Sequence, residues 1–143
     1  MDFVYPARFR RDSDRRWVVH FPDLPEAHTD GATRTEALSE AEDCLGSALA
    51  IRMAEREPLP RPSQIQKGTR PIFVPVWLAP KLALQFAIED EGISNSALAR
   101  RLGVRETVVR RLLDPDHASK TQKLAAALAA LGKRLTMRLD DAA

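Results

Sequence analysis

The sequence predicts an α+β protein in two parts, a small mixed half followed by an all-helical half. Three observations carry this. Strand-like runs separated by turn residues fill the first thirty positions, the apolar spacing switches to a helical period near Thr33, and beyond a proline-rich stretch at residues 57–71 it stays helical almost to the end.

Residues 3–10 open with Phe3, Val4 and Tyr5 and end in alternation. Asp12, Ser13 and Asp14 supply a turn, and residues 16–21 resume a strand pattern, so the start reads as a β-hairpin. Pro6 has no N–H to donate, which places the first strand at a sheet edge or on a bulge. Pro22 to Pro25 close the second strand, and Ala27, His28 and Thr29 are long enough for one short further strand. From Thr33 to about Arg56, Leu38, Ala41, Leu45, Ala48, Leu49 and Met53 recur at three- and four-residue steps, while Glu36, Glu40, Glu42, Asp43 and Glu55 mark the wet side. Thr33 with Glu36 has capping-box spacing. Pro58, Pro60, Pro62, Gly68 and Pro71 make the next stretch a loop or linker, and residues 72–76 read as a strand that returns to the first hairpin.

Pro80 suits the first turn of a helix over residues 81–90, with Leu82, Phe86 and Ile88 buried and Gly92 as its stop. Two short helices follow at residues 95–114. Ser119 is expected to cap another helix through Leu131, with Leu124, Ala127, Leu128 and Leu131 on its core face and Gly132 ending it. Residues 133–139 alternate as a final strand, whose natural partner is its own copy in a second subunit. The expected domains are 1–78 and 79–143.

Composition narrows the function. No apolar run approaches the ~18 residues of a membrane span, and Met1-Asp2-Phe3-Val4-Tyr5 lacks the basic-then-apolar order of a signal peptide, so a cytoplasmic protein with no membrane partner is expected. The net charge of +2 is unevenly spread. Residues 1–67 hold 10 basic and 12 acidic side chains, whereas residues 93–138 hold 10 Lys or Arg against 3 acids. Clustered cations are what counterion release from a nucleic acid requires.

The basic region contains the most specific motif, a helix-turn-helix at residues 95–114. Leu98, Ala99 and Leu102 form one apolar face and Val108, Val109 and Leu112 the facing one; Ala99 is small where the helices cross, Gly103 ends the first helix, and Val104 fills the space under the turn. A plain helix pair with a solvated charged face is the simpler alternative, but the charge bias favours DNA. Arg105, Glu106, Thr107 and Arg110 are then the base readers. Ser94, Asn95, Ser96 and Arg111 are placed for phosphate, the first three because a helix start offers free N–H groups.

Catalytic chemistry finds little support. Asp2, Asp12, Asp14, Asp23, Glu26 and Asp30 fall at turns or strand ends, with none expected mid-strand, so the converging carboxylates of two-metal cleavage are not anticipated. His20, His28 and His117 lack ligand spacing. Cys44 excludes an intramolecular disulfide and reads as a buried small hydrophobe. No catalytic residue, metal or cofactor is expected. Trp17 and Phe21, four apart on one strand face, are either core or an aromatic anchor for a partner.

Two stretches resemble the HicB family of type II antitoxins. Residues 21–38, with Phe21-Pro22-Asp23-Leu24-Pro25, Thr29, Gly31, Thr33 and Glu36-Ala37-Leu38, are similar to the family's F-P-D-L-P-G-C-x-T-x-G-x-T-x-x-E-A-L segment, although Glu26 and Ala27 stand where the family often has Gly and Cys. Residues 93–134, with Ala99-Arg100-Arg101-Leu102-Gly103-Val104 and Arg110-Arg111-Leu112-Leu113-Asp114-Pro115, resemble the subgroup with a helix-turn-helix. The resemblance implies a truncated ribonuclease-H-like N-terminal fold that binds HicA, an mRNA-cleaving toxin with a double-stranded-RNA-binding fold and a catalytic histidine. It also implies a C-terminal domain that dimerises on operator DNA and represses the operon. A non-enzymatic antitoxin and autorepressor is the leading expectation; a stand-alone regulator with a ligand- or protein-sensing N-terminal domain and a metal-dependent nuclease are the alternatives.

Overall fold

The computed structural model describes residues 1–142 and is α+β, with four strands in one antiparallel sheet and five helices among the described residues. The chain divides into two compact units, Met1–Ala79 and a second that begins at Pro80. No described helix is long and apolar enough to cross a membrane.

The first unit contains β1 (Val4–Arg11), β2 (Trp17–Phe21), β3 (Leu24–Gly31), α1 (Arg34–Glu55) and β4 (Arg70–Phe73), in the sheet order β3-β2-β1-β4. The β1–β2 turn forms because the Asp12 carboxylate accepts the Asp14 and Arg16 N–H groups at 2.9 and 2.8 Å. Contrary to the expectation from Pro6, β1 is an interior strand. Its ladder to β2 covers Arg8–Arg11 and its ladder to β4 covers Val4–Ala7, with Pro6 directly opposite Pro71. At Pro6 the strand thus has a neighbour on one side only, and no ladder bond is lost.

β3 is longer than expected and starts at Leu24, taking in Pro25. Pro25 is tolerated because β3 is an edge strand and a register shift at His20/Phe21 relieves the pairing there. This length also puts Glu26 inside the strand, against the expectation that all acids lie at ends. β4 stops at Phe73, short of the expected Val76, because Pro75 breaks the ladder; Val76 and Trp77 are left 89% and 51% exposed.

α1 starts where Thr33 Oγ1 accepts the Glu36 N–H at 3.1 Å, and Glu36 reaches back to the Ala32 N–H at 2.9 Å, a capping box displaced by one residue. Its buried stripe of Ala37, Ala41, Leu45 and Leu49 repeats every four residues and covers Tyr5, Ala7, Val19, Phe21 and Ile72 on one face of the sheet. The approach is close. A Cβ on Gly31 would lie 2.5 Å from the Ala37 backbone nitrogen, and one on Gly46 would lie 2.8 Å from the Pro75 ring.

The proline-rich stretch has no regular structure but is tied down. Tyr5 Oη donates to the Pro60 carbonyl at 2.6 Å, Asp23 accepts the Ser63 N–H and hydroxyl at 2.9 and 3.1 Å, and Arg52 donates to the Pro58 carbonyl at 2.6 Å. Arg52 also forks onto Glu26 of β3 at 2.5 and 3.0 Å. Burial, reinforced by Asp23, pushes the Tyr5 phenol well above its ordinary pKa, so it stays a donor. The Arg52 hydrogen bonds hold the Glu26 carboxyl below its usual value.

The second unit packs α2 (Ala79–Glu91), α3 (Asn95–Leu102), α4 (Glu106–Leu113) and α5 (Thr121–Ala130). Leu84, Ala87, Ile88, Leu98, Ala99, Val109, Leu112, Leu124, Ala127, Leu128 and Leu131 form its core. Three expectations are corrected here. Val104 is 39% exposed and does not fill the turn. Lys120, not Ser119, precedes α5, because the Ser119 hydroxyl is engaged elsewhere. Residues 133–139 form no strand in the single chain: Leu135 packs on the core while Met137 and Leu139 are 91% and 98% exposed, and the ladder partner expected for them is a second copy.

Gly31→Ala is expected to cost about 2–3 kcal/mol, because the clash is with backbone that no side chain can vacate. Urea unfolding of the first unit measures it. The Glu26–Arg52 pair makes a separate, pH-dependent contribution. A carboxyl with a lowered folded pKa stabilises above its unfolded value of 4.5 and loses that contribution as pH falls through the folded value. Wild type should therefore exceed Glu26→Gln in stability at pH 7 by no more than ~1 kcal/mol for a half-exposed pair, and the difference should vanish as pH falls well below 4.5.

Candidate nucleic-acid interface and partner surface

α3 and α4 are eight-residue helices joined by Gly103, Val104 and Arg105. Gly103 adopts φ 66°, a left-handed conformation, and its N–H bonds the Ala99 and Arg100 carbonyls. Burying Leu98 and Ala99 of α3 against Val109 and Leu112 of α4 turns the remaining face of α4 outward. Arg105, Thr107, Arg110 and Arg111 are exposed there, and Glu106 is half-buried at the first position of the helix.

Three of the predicted DNA-binding residues form one network. Glu106 accepts from Arg110 Nε and Nη2 at 3.2 and 2.9 Å, and its carboxyl pKa is lowered chiefly by that pair, with a smaller part from the Ser96 side chain. Arg110 is thereby held over the first turn of α4. Ser94 caps α3 by accepting the Ala97 N–H at 3.1 Å, while Asn95 and Ser96 are half-buried in its first turn. Arg101 is paired with Glu91 at 3.2 Å.

On the first unit, Trp17 and Phe21 share the α1 face as the four-residue spacing implies. Phe21 is 2% exposed and belongs to the core, so it has no surface to offer a partner. Trp17 is half-buried between the guanidinium groups of Arg11 and Arg34, 5.1 and 5.6 Å from its ring. Sequence reasoning missed a second feature: β2–β3 pairing sets His20 opposite His28, with ring centroids 6.3 Å apart. Their eight-residue separation hides a contact that only strand register creates. Among the described residues no group of three or more His, Cys, Asp or Glu side chains converges as a metal site. Cys44 is half-buried; its thiol lies 3.7 Å from the His28 carbonyl, and burial together with Glu40 pushes its pKa up.

Comparison with known proteins decides the family. Residues 4–83 match the model described as "HicB_like antitoxin of bacterial toxin-antitoxin system". The chain belongs to the HicB-like antitoxin family. It is 40% identical over 133 residues to Antitoxin HicB 2 of Photorhabdus laumondii, covering 93% of this chain and 94% of that protein. To Antitoxin HicB of Escherichia coli (strain K12) the identity is 34% over 133 residues, covering 93% and 96%. To Antitoxin HicB of Pseudomonas fluorescens it is 35% over 141 residues, covering 98% and 96%. These HicB matches extend through both units, so the charged face of α4 lies within the shared length.

Proposed function

We propose that the protein is a non-enzymatic antitoxin that binds and neutralises a HicA-type mRNA-cleaving toxin and represses its own operon by binding operator DNA. The observation that carries this reading is HicB-family membership across nearly the whole chain. In this reading the first unit is the toxin-binding domain, built on a truncated ribonuclease-H-like sheet. The second is a helix-turn-helix whose recognition helix is α4.

The charge distribution supports that division of labour. Arg105 at the N-cap of α4, with Thr107 and Arg110 on its exposed side, are the side chains offered to base edges, and Arg111 and the start of α3 at Ser94, Asn95 and Ser96 are offered to phosphate. Glu106 acts through Arg110, holding its guanidinium in place. A homodimer joined through residues 133–139 would give Met137 and Leu139 the cover they lack in one chain and would match a two-fold operator. Trp17, backed by two arginines, is one aromatic of the first unit offered for toxin contact.

Arg105→Ala and Arg110→Ala are each expected to weaken operator binding by ~1–3 kcal/mol in a fluorescence titration while leaving toxin binding intact. Operator affinity unchanged in both would remove α4 as the reading helix. Trp17→Ala is expected to weaken inhibition of RNA cleavage by the cognate toxin at least about tenfold, the loss of one aromatic anchor, without altering operator binding. Full inhibition at equal concentration would shift the contact elsewhere on the first unit.

A further inference from the structure

Lys81 is 3% exposed, in the core-facing row of α2 with Leu84 and Ile88. A buried ammonium is costly unless each of its three N–H groups finds an acceptor. Here they do. Lys81 Nζ donates to the Arg111 carbonyl at 3.0 Å, the Leu112 carbonyl at 3.1 Å and Ser119 Oγ at 2.8 Å. Two of these acceptors are carbonyls from the last turn of α4, where intrahelical partners run out and the helix dipole is negative. Ser119 closes the arrangement, its hydroxyl donating to the Arg111 carbonyl at 3.3 Å and lying 3.1 Å from His117 Nδ1. Burial lowers the Lys81 pKa, and the nearby Asp114 carboxylate opposes that shift.

The rest of α4 is thinly held. It is eight residues long, Val109 and Leu112 are its buried side chains, and Arg105 at its N-cap makes no side-chain cap bond. A helix this short does not persist by its own propensity.

We propose that Lys81 is a positioning residue for DNA recognition, fastening the C-terminal end of α4 to α2 and to Ser119 so that the exposed side chains of Arg105, Thr107 and Arg110 keep the orientation base reading requires. The inference rests on the helix-turn-helix reading above and adds the part of the unit that aims the helix. Lys81 touches no DNA in this scheme. Its loss should erode discrimination between sequences and spare the phosphate attraction that the arginines supply to any duplex.

The test uses the full chain as wild type, Lys81→Met and Ser119→Ala. Each is titrated with a duplex from its own operon's promoter and with an unrelated duplex of equal length, at two salt concentrations. Hydrogen exchange is followed over residues 111–119. Lys81→Met is expected to lose about tenfold or more in specific affinity and Ser119→Ala about two- to threefold, with affinity for the unrelated duplex and its salt dependence unchanged. Exchange over residues 111–119 should quicken in both. A purely structural lysine would instead lower both affinities together, and that result overturns the proposal. So does Lys81→Met discriminating as well as wild type. Should Lys81→Met not fold, Ser119→Ala decides: unchanged discrimination and exchange overturn the positioning role. Wild type that does not discriminate between the duplexes overturns the DNA reading itself, a failure distinct from that of Lys81.

Discussion

The first unit depends on how closely α1 approaches β3. Gly31 leaves no room for a Cβ above the Ala37 backbone, and the alanines at 37 and 41 continue the close seam before Leu45 and Leu49 take over. Once the helix is seated there, one sheet face is filled by Tyr5, Ala7, Val19, Phe21 and Ile72. The other carries Arg8, Arg10, His20, His28 and Asp30 in solvent. The same seating brings Arg52 to Glu26 and to the Pro58 carbonyl, so the irregular stretch after α1 is anchored by the helix that precedes it. A single small residue thus lets the helix close on that face of the sheet.

In the second unit a polar interaction has the corresponding place. The apolar core decides that α3 and α4 pack, but two buried side chains on an eight-residue helix constrain its tilt weakly. The Lys81 ammonium adds directional bonds to the last-turn carbonyls of α4, in surroundings where a misplaced charge would be expensive. Glu106 and Arg110 order the other end. One short helix is thereby steadied at both termini.

Much of the fold was legible in residue order. The change from strand to helical period at Thr33, the stop at Gly103 and the alternating cores of α1 and α5 are local signals, and the backbone follows them. Pro6 and Pro25 misled because proline reports only the absence of a local N–H. Whether that absence matters depends on which neighbours the strand has at that residue, a property of the assembled sheet. Phe21 could be assigned to a strand face but not to core or surface, since alternation does not say which face α1 covers. Lys81 carried a faint signal, a lysine in register with Leu84 and Ile88, yet its acceptors lie some thirty residues away and cannot be read from spacing.

By itself the sequence determined the element types, the uneven charge and the family words at residues 21–38 and 93–134, because these depend on side-chain chemistry and short-range spacing. Only the tertiary structure decided that β1 is interior, that Phe21 is core, that His20 meets His28 and that a buried ammonium holds α4. Each of those depends on contacts between residues far apart in the chain, where packing and hydrogen-bond satisfaction override local preference.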